Sequence, residues 1–338
     1  MTATVALSQG VDLDPARPAP VVDVADYGFE GRFEDWSQDA RYFEYTKAAN
    51  PIAAGFIGAV PARRFPRSLY DDGPTRVVPL DLSAELGVEG GAATSPALLA
   101  NFIRIKAGEK IATEPNATSQ LYYAIEGRGI AVVNGRLVRW EKGDFLTLPA
   151  ASRATFHADS EASFYWVHDE PLLRYLGAVA VKPQFQATKF ARAEAMAKLD
   201  EIAGQPGAND RSRVSVLLNN AAQDQTLTIT HVLWAMLGVL PAGKTQPAHR
   251  HQSVALDLIL DAEPGGCYSL LGEELDERGE IVDPVRVDWE AGGAFVTPPG
   301  MWHAHCNESG SPAHLIPIQD AGLQTYLRSL DIRFSGRR

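Results

Sequence analysis

Hydrophobic and polar positions along the chain predict two stretches of short β-strands separated by glycine turns. In the first stretch, apolar runs at 99–105, 120–125 and 130–133 have the length and residue types of strands. The dipeptide Asn134-Gly135 follows the third run and precedes further apolar positions, which is the strongest short-range signal for a β-hairpin. Many short strands at this spacing indicate a sandwich or a barrel.

A second stretch of the same kind begins near Leu227. Between the two, Phe190–Ile202 is alanine-rich, has apolar residues at helical spacing and ends before Gly204, which predicts a helix. The first roughly 80 residues contain prolines that interrupt any long element. The sequence therefore predicts an irregular N-terminal arm at 1–80, a first barrel at 81–182, a helical linker at 183–226 and a second barrel at 227–338.

Composition narrows the class of protein. The chain has 338 residues, of which 45% are apolar and 22% charged, as in globular proteins with one or two domains. The net charge of −11 argues against nucleic-acid binding, because phosphate groups require a concentrated basic face. Two cysteines suit a reducing compartment, and neither a signal-peptide pattern nor an apolar run of about 20 residues is found. We therefore expect a cytoplasmic protein that binds neither nucleic acid nor membrane.

The first chemical motif lies in the predicted second barrel. Gly243 is followed, after five residues, by His249 and His251. Alternate side chains of a strand share a face, so these two imidazoles point the same way.

A second motif follows Gly292 and ends at Asn307. Pro298 and Gly300 form a turn, and His303 and His305 share one face of the strand that begins after it. Two strands of a barrel can thus bring His249, His251 and His303 to one cation, and four of the 8 histidines of the chain lie in these two short segments.

The predicted metal site has no carboxylate ligand. The segment around these histidines resembles the first cupin signature, in which a glutamate stands four or five residues after the second histidine, and here those positions are Ala255 and Leu256. Three neutral ligands retain the full charge of a divalent ion, which favours an anionic chelating substrate and leaves coordination positions open. Asp257 has the same strand parity as the histidines and is an alternative fourth ligand.

His305 has the inward parity of His303, two residues further along. It is a candidate acid/base or substrate hydrogen-bonding group, and equally a group that only orients its neighbours. Gln319 and Asp320 follow a strand-like run and are candidates to line the same cavity. Cys306 and Trp302 have outward parity and are assigned to packing.

The predicted first barrel keeps the turns and has lost the ligands. Glu114 and Asn116 stand at the two ligand positions after Gly108, and Ala154 stands at the third. We therefore expect this barrel to be free of metal, with a weak site between Glu114 and His157 as the alternative.

The two histidine segments resemble the two signatures of the cupin family, G-x5-H-x-H and G-x5-P-x-G-x2-H-x3-N. Within cupins, the chain looks like the gentisate 1,2-dioxygenase group, on the basis of 247–251, 302–305, 117–118 and 125–129. The resemblance implies an all-β fold of two double-stranded β-helix (jelly-roll) barrels, with the irregular arm and the short helical linker added. It also implies that His249, His251 and His303 bind Fe(II) and that His305 lies near the substrate.

In that family the substrate chelates iron through a carboxylate and an adjacent hydroxyl, and the ring opens with O2. The resemblance thus implies an Fe(II)-dependent dioxygenase that acts on a hydroxylated aromatic acid or a similar small anionic chelator. Two features differ from the family pattern: the complete ligand set lies in the second barrel, and the insertion at 263–288 is acidic.

Two other functions remain open from the sequence. One is a non-oxidative cupin lyase, isomerase or hydrolase, in which Zn, Mn, Ni or Cu takes the place of iron. The other is a non-catalytic cupin that binds a small molecule. By resemblance to two-barrel cupins, we expect a homodimer or a homotetramer.

Overall fold

The computed structural model describes residues 36–208 and 214–336. Contacts divide the chain into two compact units, Met1–Asn50 and Pro51–Arg338. The described part of the first unit contains one short helix, α1 (Tyr45–Ala48), which begins where the Glu44 carboxylate accepts hydrogen bonds from backbone N–H groups. The predicted arm lies outside the described residues over positions 1–35.

The second unit begins with short elements and continues into an antiparallel β-structure. Its strands up to residue 190 are β1 (Arg64–Phe65), β2 (Arg76–Pro79), β3 (Leu99–Ile105), β4 (Lys110–Thr113), β5 (Ser119–Glu126), β6 (Arg128–Val133), β7 (Arg136–Glu141), β8 (Phe145–Pro149), β9 (Ala154–Ala158), β10 (Ala162–His168) and β11 (Thr188–Phe190). Its helices are α2 (Ser83–Leu86), α3 (Glu170–Leu176), α4 (Arg192–Ala203) and α5 (Ala321–Tyr326).

Ten further strands follow α4 in the ranges that the structure describes. They are β12 (Val214–Leu218), β13 (Trp234–Leu240), β14 (Thr245–Arg250), β15 (Ala255–Asp261), β16 (Cys267–Gly272), β17 (Val285–Asp288), β18 (Ala294–Thr297), β19 (Trp302–Asn307), β20 (Ala313–Gln319) and β21 (Arg333–Phe334). No helix in the described ranges is long and apolar enough to cross a membrane.

Each barrel is built from two antiparallel sheets. In the first barrel, a six-stranded sheet (β11-β8-β5-β10-β3-β2) faces a four-stranded sheet (β4-β9-β6-β7). In the second barrel, a six-stranded sheet (β1-β18-β15-β20-β13-β12) faces a five-stranded sheet (β17-β16-β19-β14-β21). This confirms the predicted all-β architecture of two jelly-roll barrels.

Two local predictions can be compared directly with the structure. The Asn134-Gly135 hairpin is confirmed: it joins β6 to β7, and both residues have positive φ, 47° and 78°. The helix predicted at Phe190–Ile202 begins two residues later, at Arg192. Phe190 pairs with Phe145 in β11, so the chain is still extended there.

The segment predicted as a helical linker also contributes strands. β11 extends the large sheet of the first barrel by pairing with β8, and β12 extends that of the second barrel by pairing with β13. β1, which precedes both barrels in the chain, pairs with β18 of the second. Chain segments outside each barrel therefore cover an edge of its large sheet.

The largest apolar core lies between the two six-stranded sheets. It joins side chains from β3, β5, β8 and β10 to side chains from β12, β13, β15, β18 and β20. Ala195 and Leu199 of α4 pack against the same core, and the interior of each barrel holds a separate smaller cluster. The two barrels thus share buried surface.

Candidate metal centre

Strands β14 and β19 bring the predicted ligands together. His249 lies directly opposite His303 in the antiparallel ladder, and their ring centres are 4.0 Å apart. His251 follows the end of β14, and its ring centre is 4.9 Å from that of His303 and 6.1 Å from that of His249. All three side chains are buried, and one nitrogen of each lies within 4.8 Å of the others.

The backbone determines which nitrogen of each of these rings carries the proton. Nδ1 of His249 lies 3.3 Å from the carbonyl oxygen of Pro247, and Nδ1 of His303 lies 3.0 Å from that of Met301. Nδ1 of His251 lies 2.8 Å from the carbonyl oxygen of Ser253. A carbonyl oxygen can only accept, so each Nδ1 donates its hydrogen and each neutral ring carries its lone pair on Nε2. This is the arrangement that orients histidine ligands in metal proteins, so the three residues fit a divalent cation.

A β-bulge in β14 adds a residue to the inner face of the site. Gln246 pairs with His305 and His249 pairs with His303, so three steps on β14 match two on β19. Strict alternation would turn Gln246 away from the histidines, whereas it lines a cavity with His249 and His251. The hydrophobic pattern carries no signal of this bulge, so the sequence did not indicate Gln246.

The cavity beside the histidines has a volume of about 120 Å³ and is mostly apolar. Its other walls come from β13, the end of β20 and the segment around β21, namely Trp234, Met236, Gln319, Ile332 and Phe334. Phe334 pairs with His249 across β14 and β21, and its ring lies 18° from parallel to the imidazole. Among the described residues that line this cavity, none is a lysine or an arginine.

The two polar candidates at the end of β20 lie in different places. Gln319 lines the histidine cavity, and its side-chain oxygen accepts a hydrogen bond from Ser253 Oγ, which in turn contacts His251 Nδ1. Asp320 lines another cavity and accepts a hydrogen bond from the backbone N–H of Val254. Burial raises the pKa of the Asp320 carboxyl to about 6.

Asp257 is not part of the three-histidine cluster that the described residues form. It lies on β15 in the six-stranded sheet, and its carboxylate accepts a hydrogen bond of 2.8 Å from Thr297 Oγ1. The side chains with outward parity pack on the other face of the ligand strands, where the Arg250 guanidinium lies 4.9 Å from the Trp302 ring.

His305 lies beside the cluster with a different set of contacts. Its ring centre is 5.7 Å from that of His303 and 5.9 Å from that of His249. Its Nδ1 contacts the Ser269 hydroxyl, where the three cluster histidines contact backbone carbonyls. Sequence parity predicted its position but gave no indication of this contact.

The first barrel presents different chemistry at the equivalent positions. Glu114 forms a salt bridge with Arg153, and both side chains are exposed. His157 pairs with Lys110, three positions along the ladder from the Thr113–Ala154 pair that lies nearest to Glu114. The structure does not bring Glu114 and His157 together.

Fold and site together define a class of protein, the two-barrel cupin with a buried three-histidine cluster in its second barrel. In comparisons with known proteins, no family model matches the chain. The chain is 31% identical over 105 residues to gentisate 1,2 dioxygenase 1 of Aquipseudomonas alcaligenes. The aligned segment covers 31% of this chain and 26% of that protein. The chain is 33% identical over 85 residues to 5-aminosalicylate 1,2-dioxygenase of a Comamonas species, which covers 25% and 23% respectively.

Similarity in fold extends over most of the chain. The salicylate 1,2-dioxygenase of Pseudoaminobacter salicylatoxidans, in a crystal structure of its adduct with gentisate, superposes with a TM-score of 0.63 at 15% identity. The superposition covers 83% of this chain and 87% of that one. The chain therefore shares the two-barrel fold of this protein, and its matched segments span about a quarter of the length of the curated relatives.

Proposed function

We propose that the protein is an Fe(II)-dependent dioxygenase that cleaves the ring of a hydroxylated aromatic acid or a similar small chelating anion. The observation that carries the proposal is the convergence of His249, His251 and His303, each with Nδ1 beside a backbone carbonyl oxygen, an arrangement that leaves the Nε2 lone pairs for one cation. The relatives named as gentisate and aminosalicylate dioxygenases support the reaction class.

The chemistry of the donor set suits this reaction. Bound Fe(II) supplies a Lewis acid with open positions for a chelating substrate and for O2. The three imidazoles are neutral and add no negative charge, so they leave an electrostatic attraction for an anionic substrate. Because no lysine or arginine lines the described cavity, the metal is the positive charge that would neutralise the anionic substrate.

The walls of the cavity position the ring and exclude water. Trp234 and Phe334 provide flat apolar surfaces, and Gln246 and Gln319 provide neutral hydrogen-bonding groups. His305 is the nearest imidazole outside the ligand set and is assigned a hydrogen bond to the bound substrate.

Oxygen consumption tests the reaction class. Protein that has been reconstituted with Fe(II) under anaerobic conditions is expected to take up O2 when it is given a 2-hydroxybenzoate or gentisate, with loss of the aromatic absorbance. The His251→Ala variant is expected to lose most of its bound iron and at least 100-fold in rate, because ligand removal weakens both binding and orientation. The absence of uptake across a panel of chelating hydroxy acids by iron-loaded protein would contradict the proposal.

A non-oxidative metal enzyme is the second candidate, favoured by the nitrogen-only donor set, which suits Zn(II) as well as Fe(II). If this candidate is right, turnover continues without O2 and is supported by Zn, Mn, Ni or Cu. Metal analysis of protein purified from ordinary medium, followed by assays in the presence and absence of O2, separates the two.

We also propose that the protein is a homodimer or homotetramer in the cytoplasm. β7 is the outer strand of the four-stranded sheet, and Leu137 on it is 74% exposed. An exposed apolar side chain on an outer strand is a feature that a second copy of the chain would cover. The two cysteines, both buried and free, suit a reducing compartment. Size-exclusion chromatography with light scattering gives the mass of the particle in solution. A monomer mass would overturn the oligomer proposal.

A further inference from the structure

His305 is held by a buried polar chain that the family motifs do not contain. Its Nδ1 lies 2.8 Å from Ser269 Oγ, and the indole Nε1 of Trp289 donates to the same oxygen at 2.8 Å. The exposed fractions of His305, Ser269 and Trp289 are 2%, 0% and 3%. The three side chains come from β19, from β16 and from the residue that follows β17, so the hydrogen bonds connect three neighbouring segments of the sheet.

Hydrogen-bond accounting gives the direction of each bond. An indole N–H only donates, so Ser269 Oγ is the acceptor in the contact with Trp289. The serine hydroxyl also has one hydrogen of its own, and a buried hydroxyl without an acceptor would cost about 1–3 kcal/mol. Within the described ranges, His305 Nδ1 is the acceptor that lies in reach of this hydroxyl. Ser269 therefore donates to Nδ1, and the hydrogen of the neutral imidazole is on Nε2.

This assignment divides the four histidines of the site into two kinds. Backbone carbonyls keep the hydrogen on Nδ1 in His249, His251 and His303, which leaves Nε2 as their lone-pair nitrogen. In His305 a side-chain hydroxyl reverses the arrangement and makes Nε2 the N–H nitrogen. A nitrogen that carries hydrogen cannot bind a cation. Strand β19 thus carries two imidazoles with opposite tautomers. The Nε2 atom of His303 carries no hydrogen and can bind a metal, whereas the Nε2 atom of His305 carries a hydrogen and cannot.

We propose that Ser269, itself oriented by Trp289, is a positioning residue that holds His305 in the Nε2–H tautomer, as a hydrogen-bond donor to an anionic oxygen of the bound ligand. The ligand in this statement rests on the proposed function, whereas the tautomer does not. The Trp289 indole, which ends this series of hydrogen bonds, cannot accept a proton, so no proton leaves the site through Ser269. His305 acts as a fixed donor, which decides between the roles that the sequence left open.

Nitrogen NMR tests the tautomer without any turnover. Protein labelled with ¹⁵N-histidine is measured metal-free and loaded with Zn(II), a diamagnetic probe. Long-range ¹H–¹⁵N spectra are expected to show His305 with a protonated Nε2 and a bare Nδ1, opposite to the other three histidines. A protonated Nδ1 on His305, or binding of His305 to zinc through Nε2, would overturn the proposal. This measurement needs only the wild-type protein.

Variants of Ser269 test its role. In Ser269→Ala the hydroxyl donor is lost, so the Nδ1–H tautomer of His305 is expected to rise to a large share of the population while zinc stoichiometry stays unchanged. Ser269→Thr retains the hydroxyl and is expected to keep the wild-type pattern. A wild-type pattern in Ser269→Ala would overturn the role of the serine.

Ser253→Ala is the matched control, because Ser253 is also buried against a histidine. The backbone carbonyl of Ser253 still accepts from His251 Nδ1 in this variant, so the tautomers of His251 and His305 are expected to stay as in the wild type. With iron and an active substrate, Ser269→Ala is expected to raise KM about 10-fold, which corresponds to about 1.4 kcal/mol for one hydrogen bond to an anion. If the wild-type protein takes up no O2 but its histidines show the expected tautomers, only the dioxygenase proposal is contradicted.

Discussion

Asp320 is a buried carboxyl whose pKa makes the stability of the fold depend on pH. Burial raises the pKa of its carboxyl from 3.8 to about 6, so between these values the folded protein binds more protons than the unfolded chain. Stability therefore falls as the pH rises through this interval, and the full cost is present above pH 6. The difference corresponds to at most about 3 kcal/mol, at about 1.4 kcal/mol per tenfold change in proton affinity.

The Asp320→Asn variant removes this cost and keeps an oxygen that can accept from the Val254 N–H. We expect its free energy of unfolding to exceed that of the wild type by about 1–3 kcal/mol at pH 7.5 and to match it below pH 4. Urea denaturation at several pH values measures the difference. A gain of equal size at every pH would show that charge burial is not its cause.

At the residue scale, the sequence predicted which histidines converge better than it predicted their surroundings. Strand alternation and two glycine-anchored motifs were enough to select His249, His251 and His303 as one cluster, whose role as metal ligands stays a prediction. They could not predict the tautomers, because these depend on carbonyl and hydroxyl groups brought in by the folded backbone. Gln246 was missed for the same kind of reason, since a bulge changes which face a side chain occupies.

At the scale of an element, Asn307, the last residue of the second motif, fixes the end of strand β19. The Asn307 amide donates to the carbonyl oxygens of Leu240 and Ser311, and its oxygen accepts from the N–H of Ser309 and from the Cys267 thiol. Every hydrogen-bonding group of this buried amide has a partner. Asn307 thereby ties the end of β19 to β13, β16 and the following loop.

The Asn307→Asp variant is nearly the same shape and loses both donors. We expect a loss of about 2–5 kcal/mol in the free energy of unfolding, because two carbonyls lose their partner and a charge is buried among acceptors. Chemical denaturation measures the loss. Glu308→Gln, at the exposed neighbouring position, is the control and keeps an acceptor for the Tyr268 hydroxyl, so its stability is expected to change little. Equal effects of the two substitutions would contradict this role for Asn307.

Elements with a strong local pattern were predicted well, and edge elements were not. The hairpin at Asn134-Gly135 has its own turn chemistry, and the alanine-rich helix α4 has its own periodicity. β1 and β21 each contain two residues, too few for any periodic pattern, and they exist because neighbouring strands offer unpaired edges. Such pairing is a tertiary effect that a single sequence does not display.

At the scale of the whole molecule, the shared core between the two six-stranded sheets makes the barrels dependent on one another. We expect residues 51–338 to unfold in a single calorimetric transition, with matching calorimetric and van't Hoff enthalpies, although the chain contains two barrels. Leu256→Ala in the second barrel is expected to cost about 2–5 kcal/mol and to lower the midpoint reported by probes in both barrels. Two separate transitions, or a change confined to one barrel, would contradict this expectation.

The fold class was accessible from the sequence because repeated short strands and a duplicated turn framework are properties of the pattern itself. The packing of one barrel on the other was not, because β5 and β15 carry apolar residues on both faces and do not indicate which face meets which partner. The side chains that build the cavity come from β13, β14, β20 and β21, far apart in the chain.

Trp289, whose N–H donates to Ser269, gives the protein an intrinsic fluorescence signal beside the histidine cluster. The centre of the indole ring lies 5.7 Å from that of His305, so Trp289 is next to the histidine cluster, where a paramagnetic ion would quench its emission. The chain contains six tryptophans, and subtracting the spectrum of Trp289→Phe isolates the contribution of this one. Its emission would then follow occupancy of the neighbouring centre in real time, without any need for a coloured reactant.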